Sequence, residues 1–317
     1  MTFEKNILFR GYVTLNEKDI LKKLIRNDAL FKKVHIISQT YDIIPNKNHL
    51  GAYIEYQDIM ELRDDFINEL VDSIVDWIYS SEKFCELKKS AMDRGKSEGA
   101  ATQEVGRKAR NKFRANHDEE KLMVQGQLGE LILFHFIQKC MQAIPLLRKM
   151  KVTTSPRHER FGADAIHYKI EKDKNIIILG EAKTYTRKYK FNDAFSDALD
   201  SIVKTYYNYR NELDLYVHED FLDDEMNAVA EKLLNNTLEN VEIQLVSIVI
   251  YNELENLQKV DEKSIKQQIE KIIEKKYSKF DNSKINIEKH PILNRITYIV
   301  FPIWDLDKLA LEFQKLL

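Results

Sequence analysis

The sequence predicts a mixed α/β fold, a sheet with helices on its faces, and three observations carry that expectation. Short apolar runs such as Ile176-Ile177-Ile178-Leu179 have the length and β-branched content of strands covered on both sides. Between them lie segments whose apolar residues recur at helical spacing. From Lys121 to Tyr251 the order reads helix, three strands, helix, strand, which closes into a mixed sheet flanked by helices.

The first part of the chain, residues 1–87, reads as an α+β region for packing or partner docking. Ile7 to Leu15 has strand character, and Asn16 is a helix N-cap with Glu17 and Asp19 in the first turn. A helix through Ile20, Leu21, Leu24 and Ile25 follows, then short strands at Val34–Ile37 and Ala52–Tyr56. One long amphipathic helix accounts for Ile59, Leu62, Phe66, Leu70, Val71, Ile74 and Ile78. Residues 88–118 change character: nine basic residues between Lys88 and Arg114 face only Asp93, Glu98 and Glu104, with glycines interspersed and almost no bulky apolar side chain. This segment reads as a basic linker or exposed loop, either a solvated connector or an arm that touches phosphates.

Residues 119–317 form the regular part. A helix covers Lys121–Met141, and strands follow at Lys149–Thr154, Ala163–Ile170 and Ile176–Tyr185. Helices at Asn192–Asn211 and Asp223–Leu234 precede a strand at Val241–Tyr251. A charged helix at Glu262–Lys275, a strand at Ile296–Pro302 and a helix at Asp305–Leu317 complete the pattern.

Composition bounds the function. Hydrophobic residues make up 44% of the 317 and charged ones 32%, enough for a core, and the formal charge of −2 argues against a protein coated in nucleic acid as a whole. Cys85 and Cys140 read as two buried thiols, and no CxxC or HxxxH spacing offers a zinc site. The N-terminus lacks the apolar core of a signal peptide, and no stretch approaches 18 uninterrupted apolar residues. A cytoplasmic protein without membrane contact is the expectation.

The chemistry concentrates in Phe161-Gly162-Ala163-Asp164 and Gly180-Glu181-Ala182-Lys183. Alternation along a strand puts Glu181, Lys183 and Tyr185 on one face and Ala182 on the other. If the intervening hairpin turns at Lys172 and Asp173, Asp164 lies opposite Glu181. Opposed residues have Cβ atoms about 5 Å apart, and two carboxylates at that distance repel unless a cation lies between them. Glu130 adds a carboxylate to a helical stripe otherwise made of Met123, Phe134, Ile137 and Met141, with Gly129 thinning the helix for close approach to the sheet. Such a set suits metal-assisted phosphodiester hydrolysis. Asp164, Glu181 and the Ala182 carbonyl would hold Mg²⁺ or Mn²⁺, because oxygen-only ligands favour hard cations. Lys183 would orient the attacking water or stabilise developing charge, and Glu130 would hold the ion or its water.

Glu130, Asp164 and Glu181-x-Lys183 resemble the PD-(D/E)xK nuclease superfamily, whose restriction-endonuclease-like core is αβββαβ; its usual proline–aspartate pair is Ala163-Asp164 here. More narrowly, Leu128-Gly129-Glu130, Gly162-Ala163-Asp164-Ala165 and Gly180-Glu181-Ala182-Lys183-Thr184 resemble the HamA family of Hachiman antiphage systems. That resemblance implies a nuclease effector partnered with a HamB-type helicase, restrained until infection and then degrading DNA.

Around this set, Arg157 and Arg160 precede Asp164, and Tyr185, Arg187, Lys188 and Lys190 follow Lys183; all are candidates for contacting the DNA backbone and bases. His158 and His167 are weaker candidates for a base, since a lysine is already present and His167 lies on the strand face away from Asp164. The reading is therefore a metal-dependent DNA endonuclease or nickase of antiphage defence. Its rivals are a repair or restriction-type nuclease without a helicase, and a catalytically idle scaffold that binds DNA or a partner.

Overall fold

The computed structural model describes residues 16–25, 27–115, 124–147, 163–185, 191–217 and 224–317. The expected strand at Ile7–Leu15 and that at Lys149–Thr154 lie outside these residues. Asn16 does cap the first helix, α1 (Glu17–Lys23): its side chain accepts the Asp19 N–H at 3.1 Å. Then come α2 (Asp28–Phe31), β1 (Val34–Thr40), β2 (Asn48–Ile54) and a two-stranded ribbon of β3 (Tyr56–Gln57) and β4 (Met60–Glu61). The single long helix expected from Ile59 onward is instead two, α3 (Arg63–Asp72) and α4 (Ile74–Ile78). They part at Ser73, whose hydroxyl donates back to the Leu70 carbonyl at 2.8 Å, while Ile59 belongs to the turn of the ribbon.

The basic segment is not a loop. It folds into α5 (Ser81–Asp93) and α6 (Glu98–Ala115), joined by a turn in which Gly95 adopts φ 90°, a backbone that side chains disfavour. These helices bury Ala91, Ala101, Val105 and Ala109 rather than large residues. Their one buried acid, Glu104, meets Arg94 at 2.8 Å, Lys96 at 2.6 Å and Lys108 at 2.6 Å. The thiols also depart from expectation. Cys85 on α5 is exposed; Cys140 is half-buried, and burial pushes its thiol up to about 12.

Next come α7 (Val124–Met141) and β5 (Ile144–Leu147), a strand the sequence does not predict; the rest follow the expected order, β6 (Ala165–Glu171), β7 (Lys174–Tyr185), α8 (Phe191–Val217), α9 (Asp224–Leu234), β8 (Val241–Glu253), α10 (Glu262–Ser278), β9 (Ile296–Trp304) and α11 (Leu306–Leu316). Seven strands form one mixed sheet in the order β1-β2-β9-β8-β7-β6-β5. The four central strands, β2, β9, β8 and β7, run parallel, and antiparallel pairs close both sides. The N-terminal strands thus extend the sheet of the C-terminal part, with Leu50 beside Ile299.

Strand alternation divides the core in two. Ile177 and Leu179 of β7 join Phe195, Ala198 and Ile202 of α8 and Ile269 of α10 on one face. Ile176 and Ile178 join Leu133 and Ile137 of α7, Phe66 of α3 and Phe313 of α11 on the other. Odd-numbered residues of β7 therefore face α8, and even-numbered ones face α7. No helix among the described residues is long and apolar enough to cross a membrane.

Candidate functional site

The β6–β7 hairpin turns at Lys172 and Asp173, both left-handed at φ 48° and 61°, the geometry of a tight two-residue turn. Its ladder runs from Glu171↔Lys174 to Ala165↔Gly180, the register expected from the sequence. Asp164 falls just past the last pair and continues it. Its N–H donates to the Gly180 carbonyl at 3.1 Å, and its Oδ2 accepts the Ala182 N–H at 2.9 Å. The aspartate side chain thus stands where the next main-chain partner would be. Because a strand residue's N–H and C=O point to the same neighbour, the Ala182 carbonyl turns toward Asp164 as well.

Glu181 continues the odd-numbered face of β7 and is only 4% exposed. Lys183, two residues on, bends back so that Nζ lies 2.9 Å from Glu181 Oε1. From α8, Ser201 donates to the same oxygen, and Thr205 donates to Oε2 at 3.2 Å. Burial, and next the neighbouring charge of Asp164, push the Glu181 carboxyl above the usual carboxylate range; Lys183 and the Ser201 hydroxyl pull against them. The result is a carboxylate pair crowded enough to favour a shared cation.

Two glycines bring α7 down onto the even-numbered face. A Cβ on Gly129 would meet the Thr184 hydroxyl, with the Ala182 Cβ at 3.5 Å, and one on Gly180 would lie 2.8 Å from Ile137 Cδ1. Gly129 therefore does what its position in the sequence suggests. Glu130, the next residue, is half-buried on α7. Among the described residues no three His, Cys, Asp or Glu side chains form a ready-made metal cage.

Tyr185 continues the polar face, donating to Asp197 Oδ2 of α8 at 3.3 Å. Arg157, His158, Arg160, Arg187, Lys188 and Lys190 lie outside the described residues. His167 is fully buried on the α7 face, its ring edge-on to Phe134 at 5.4 Å. Three contributors escaped the sequence reading: Ser201, Thr205 and Glu212, whose Oε2 accepts the Ala163 N–H at 2.7 Å. Their signal was a spacing of four and seven residues, polar side chains on the stripe that α8 otherwise fills with Ala198, Ile202, Tyr209 and Leu213.

A family model described as HamA matches residues 28–317, whereas no curated protein matches the chain. The chain belongs to the HamA family, and that membership points to a role in antiphage defence.

Proposed function

We propose that this HamA-family chain is a metal-dependent DNA nuclease, an endonuclease or nickase that acts in antiphage defence beside a HamB-type helicase. The observation that carries the reading is the pairing of Asp164 and Glu181 at the end of the β6–β7 ladder, with Lys183 on the same strand face. The order α7, three strands, helices and β8 supports a PD-(D/E)xK core.

The donors fit a hard divalent cation. Two carboxylates and the Ala182 carbonyl are all oxygen, and Mg²⁺ characteristically takes one or two carboxylates, leaving its remaining positions to water and substrate phosphate. When bound, the ion polarises the scissile phosphoryl group and lowers the pKa of water beside it. The chain's own residues supply the rest. Asp164 and Glu181 fix where phosphate can approach, and the Lys183 ammonium, 29% exposed, supplies a proton donor and a positive charge where charge builds in the transition state. Glu130 orients a water from the α7 side. Tyr185 marks the exit of the polar face toward residues 186–190, where Arg187, Lys188 and Lys190 would hold the DNA backbone.

The test is cleavage of supercoiled plasmid by the purified chain, alone and with its helicase, with and without Mg²⁺ or Mn²⁺. Metal-dependent nicking that disappears in Asp164→Ala and Lys183→Ala is expected. DNA binding without cleavage under every condition would favour the idle-scaffold reading instead.

A further inference from the structure

We propose that α8 is a positioning rail for the metal site: Ser201, Thr205 and Glu212 hold the two carboxylates in the geometry that captures a divalent cation. This inference rests on the metal-site reading above and names residues that the acid-acid-lysine pattern does not include.

The argument begins with what a hydroxyl does inside a helix. Serine and threonine ordinarily donate back to the carbonyl four residues earlier. Ser196, one turn before the site, does this, bonding the Asn192 carbonyl at 2.8 Å. Ser201 and Thr205 on the same helix donate across to Glu181 instead, one to each oxygen. With Lys183 also on Oε1, the carboxylate is gripped at both ends and its terminal rotation is fixed. The unused lone pairs of Glu181 are thereby directed, which a dication with strict angular demands requires.

Glu212 acts on the other acid. Its carboxylate, 6% exposed, takes the N–H of Ala163, while the N–H of Asp164 is held by the Gly180 carbonyl and its side chain by Ala182. The main chain on both sides of the Asp164 Cα is thus tied down, from α8 and from β7. One helix thus grips the Glu181 carboxylate through two hydroxyls and the main chain beside Asp164 through Glu212, reinforcing the β6–β7 register that sets the two residues side by side. Groups that orient ligands in this manner typically change metal affinity 10–100-fold when lost.

The experiment is Mn²⁺ binding to the full-length chain by isothermal titration calorimetry, with circular dichroism to monitor folding. Ser201→Ala combined with Thr205→Val removes two hydroxyls at nearly constant shape and should weaken Mn²⁺ about tenfold or more. Thr205→Ser keeps a hydroxyl and should retain wild-type affinity. Glu212→Ala should also weaken binding, and Glu212→Gln, which still offers an acceptor to Ala163, should recover most of it. Ser196→Ala serves as the control on the same helix and should leave affinity unchanged. In plasmid cleavage, the double variant should need more Mn²⁺ for half-maximal rate yet approach the wild-type rate at saturation. A folded double variant with unchanged Mn²⁺ affinity overturns the rail, as does a Thr205→Ser variant as weak as the valine. If wild type itself neither binds Mn²⁺ nor cleaves, it is the metal-site reading that fails, and the rail falls with it.

Discussion

Two of the buried glutamates, Glu104 on α6 and Glu181 on β7, are treated in opposite ways. On α6, Glu104 receives Arg94, Lys96 and Lys108, three cations for one acid. Hydrogen bonds from Lys108 and then Lys96 hold its carboxyl down at about 2. On β7, Glu181 has one cation, Lys183, and a second acid, Asp164, beside it, and its carboxyl is pushed up. The first acid is over-compensated and is finished as a structural part, clamping the α5–α6 turn. The second, among the described residues, is met by one ammonium and pressed by a second carboxylate. Acids perturbed in this way cluster at functional sites, in line with the metal site proposed above.

The sharpest way to break this contrast is to delete the charges. Asp164→Ala and Lys183→Ala should each lower metal-dependent plasmid cleavage by at least about a hundredfold. Glu104→Gln should leave the rate of folded protein unchanged; a comparable loss there would show that the two regions are not functionally separate.

Packing around the two regions should also respond with opposite sign. Gly129→Ala forces a Cβ into the Thr184 hydroxyl and should destabilise the chain in urea melts by about 1–3 kcal/mol, with some loss of activity as α7 lifts from β7. Gly106→Ala, mid-helix in α6 with only the Arg110 guanidinium 3.6 Å away, should stabilise by roughly 0.5–1 kcal/mol.

A smaller effect separates the acids themselves. In metal-free buffer at neutral pH, Glu181→Gln should raise the melting temperature, because it removes a crowded buried charge. Mg²⁺ should then stabilise wild type and not the variant. Glu104→Gln should lower it. The pH dependence follows from the same shifts. Glu181 takes up a proton more readily folded than unfolded, so its contribution weakens as pH rises through its raised value. Glu104 gives full stability above the ordinary glutamate range and loses it as pH falls toward about 2, and acid titration of Glu104→Gln should show a flatter decline there.

The β7 site was largely legible because it is local. A hairpin with a two-residue turn carries its register in the sequence, and that register alone brings Asp164 and Glu181 together across the 16 residues between them. Glycine at 129 was readable for a similar reason, as the thin point of one helix facing one strand. The α5–α6 pair was not legible, since its buried face is alanine and a single valine, and small residues leave no hydrophobic stripe to find. Nor was the rail on α8, where the partners of Ser201 and Glu212 are set by a helix packing across the sheet. The placement of β1 and β2 beside β9 lay beyond reach altogether, because nothing in a strand's own residues names a partner some 250 positions away.

That last pairing has a consequence for timing. Leu50 finds Ile299, His49 accepts the Tyr298 N–H at 3.2 Å, and Tyr277 donates to the Leu50 carbonyl at 2.7 Å. A chain emerging from the ribosome therefore holds β2 and its helices unfinished until β9 has been made. Contacts of such long sequence separation form late, after the loop entropy between them has been overcome. Until then β8, the strand that backs the acid-bearing β7, has one side open. For the nuclease proposed above, this order of assembly would delay a finished site until β9 has been made.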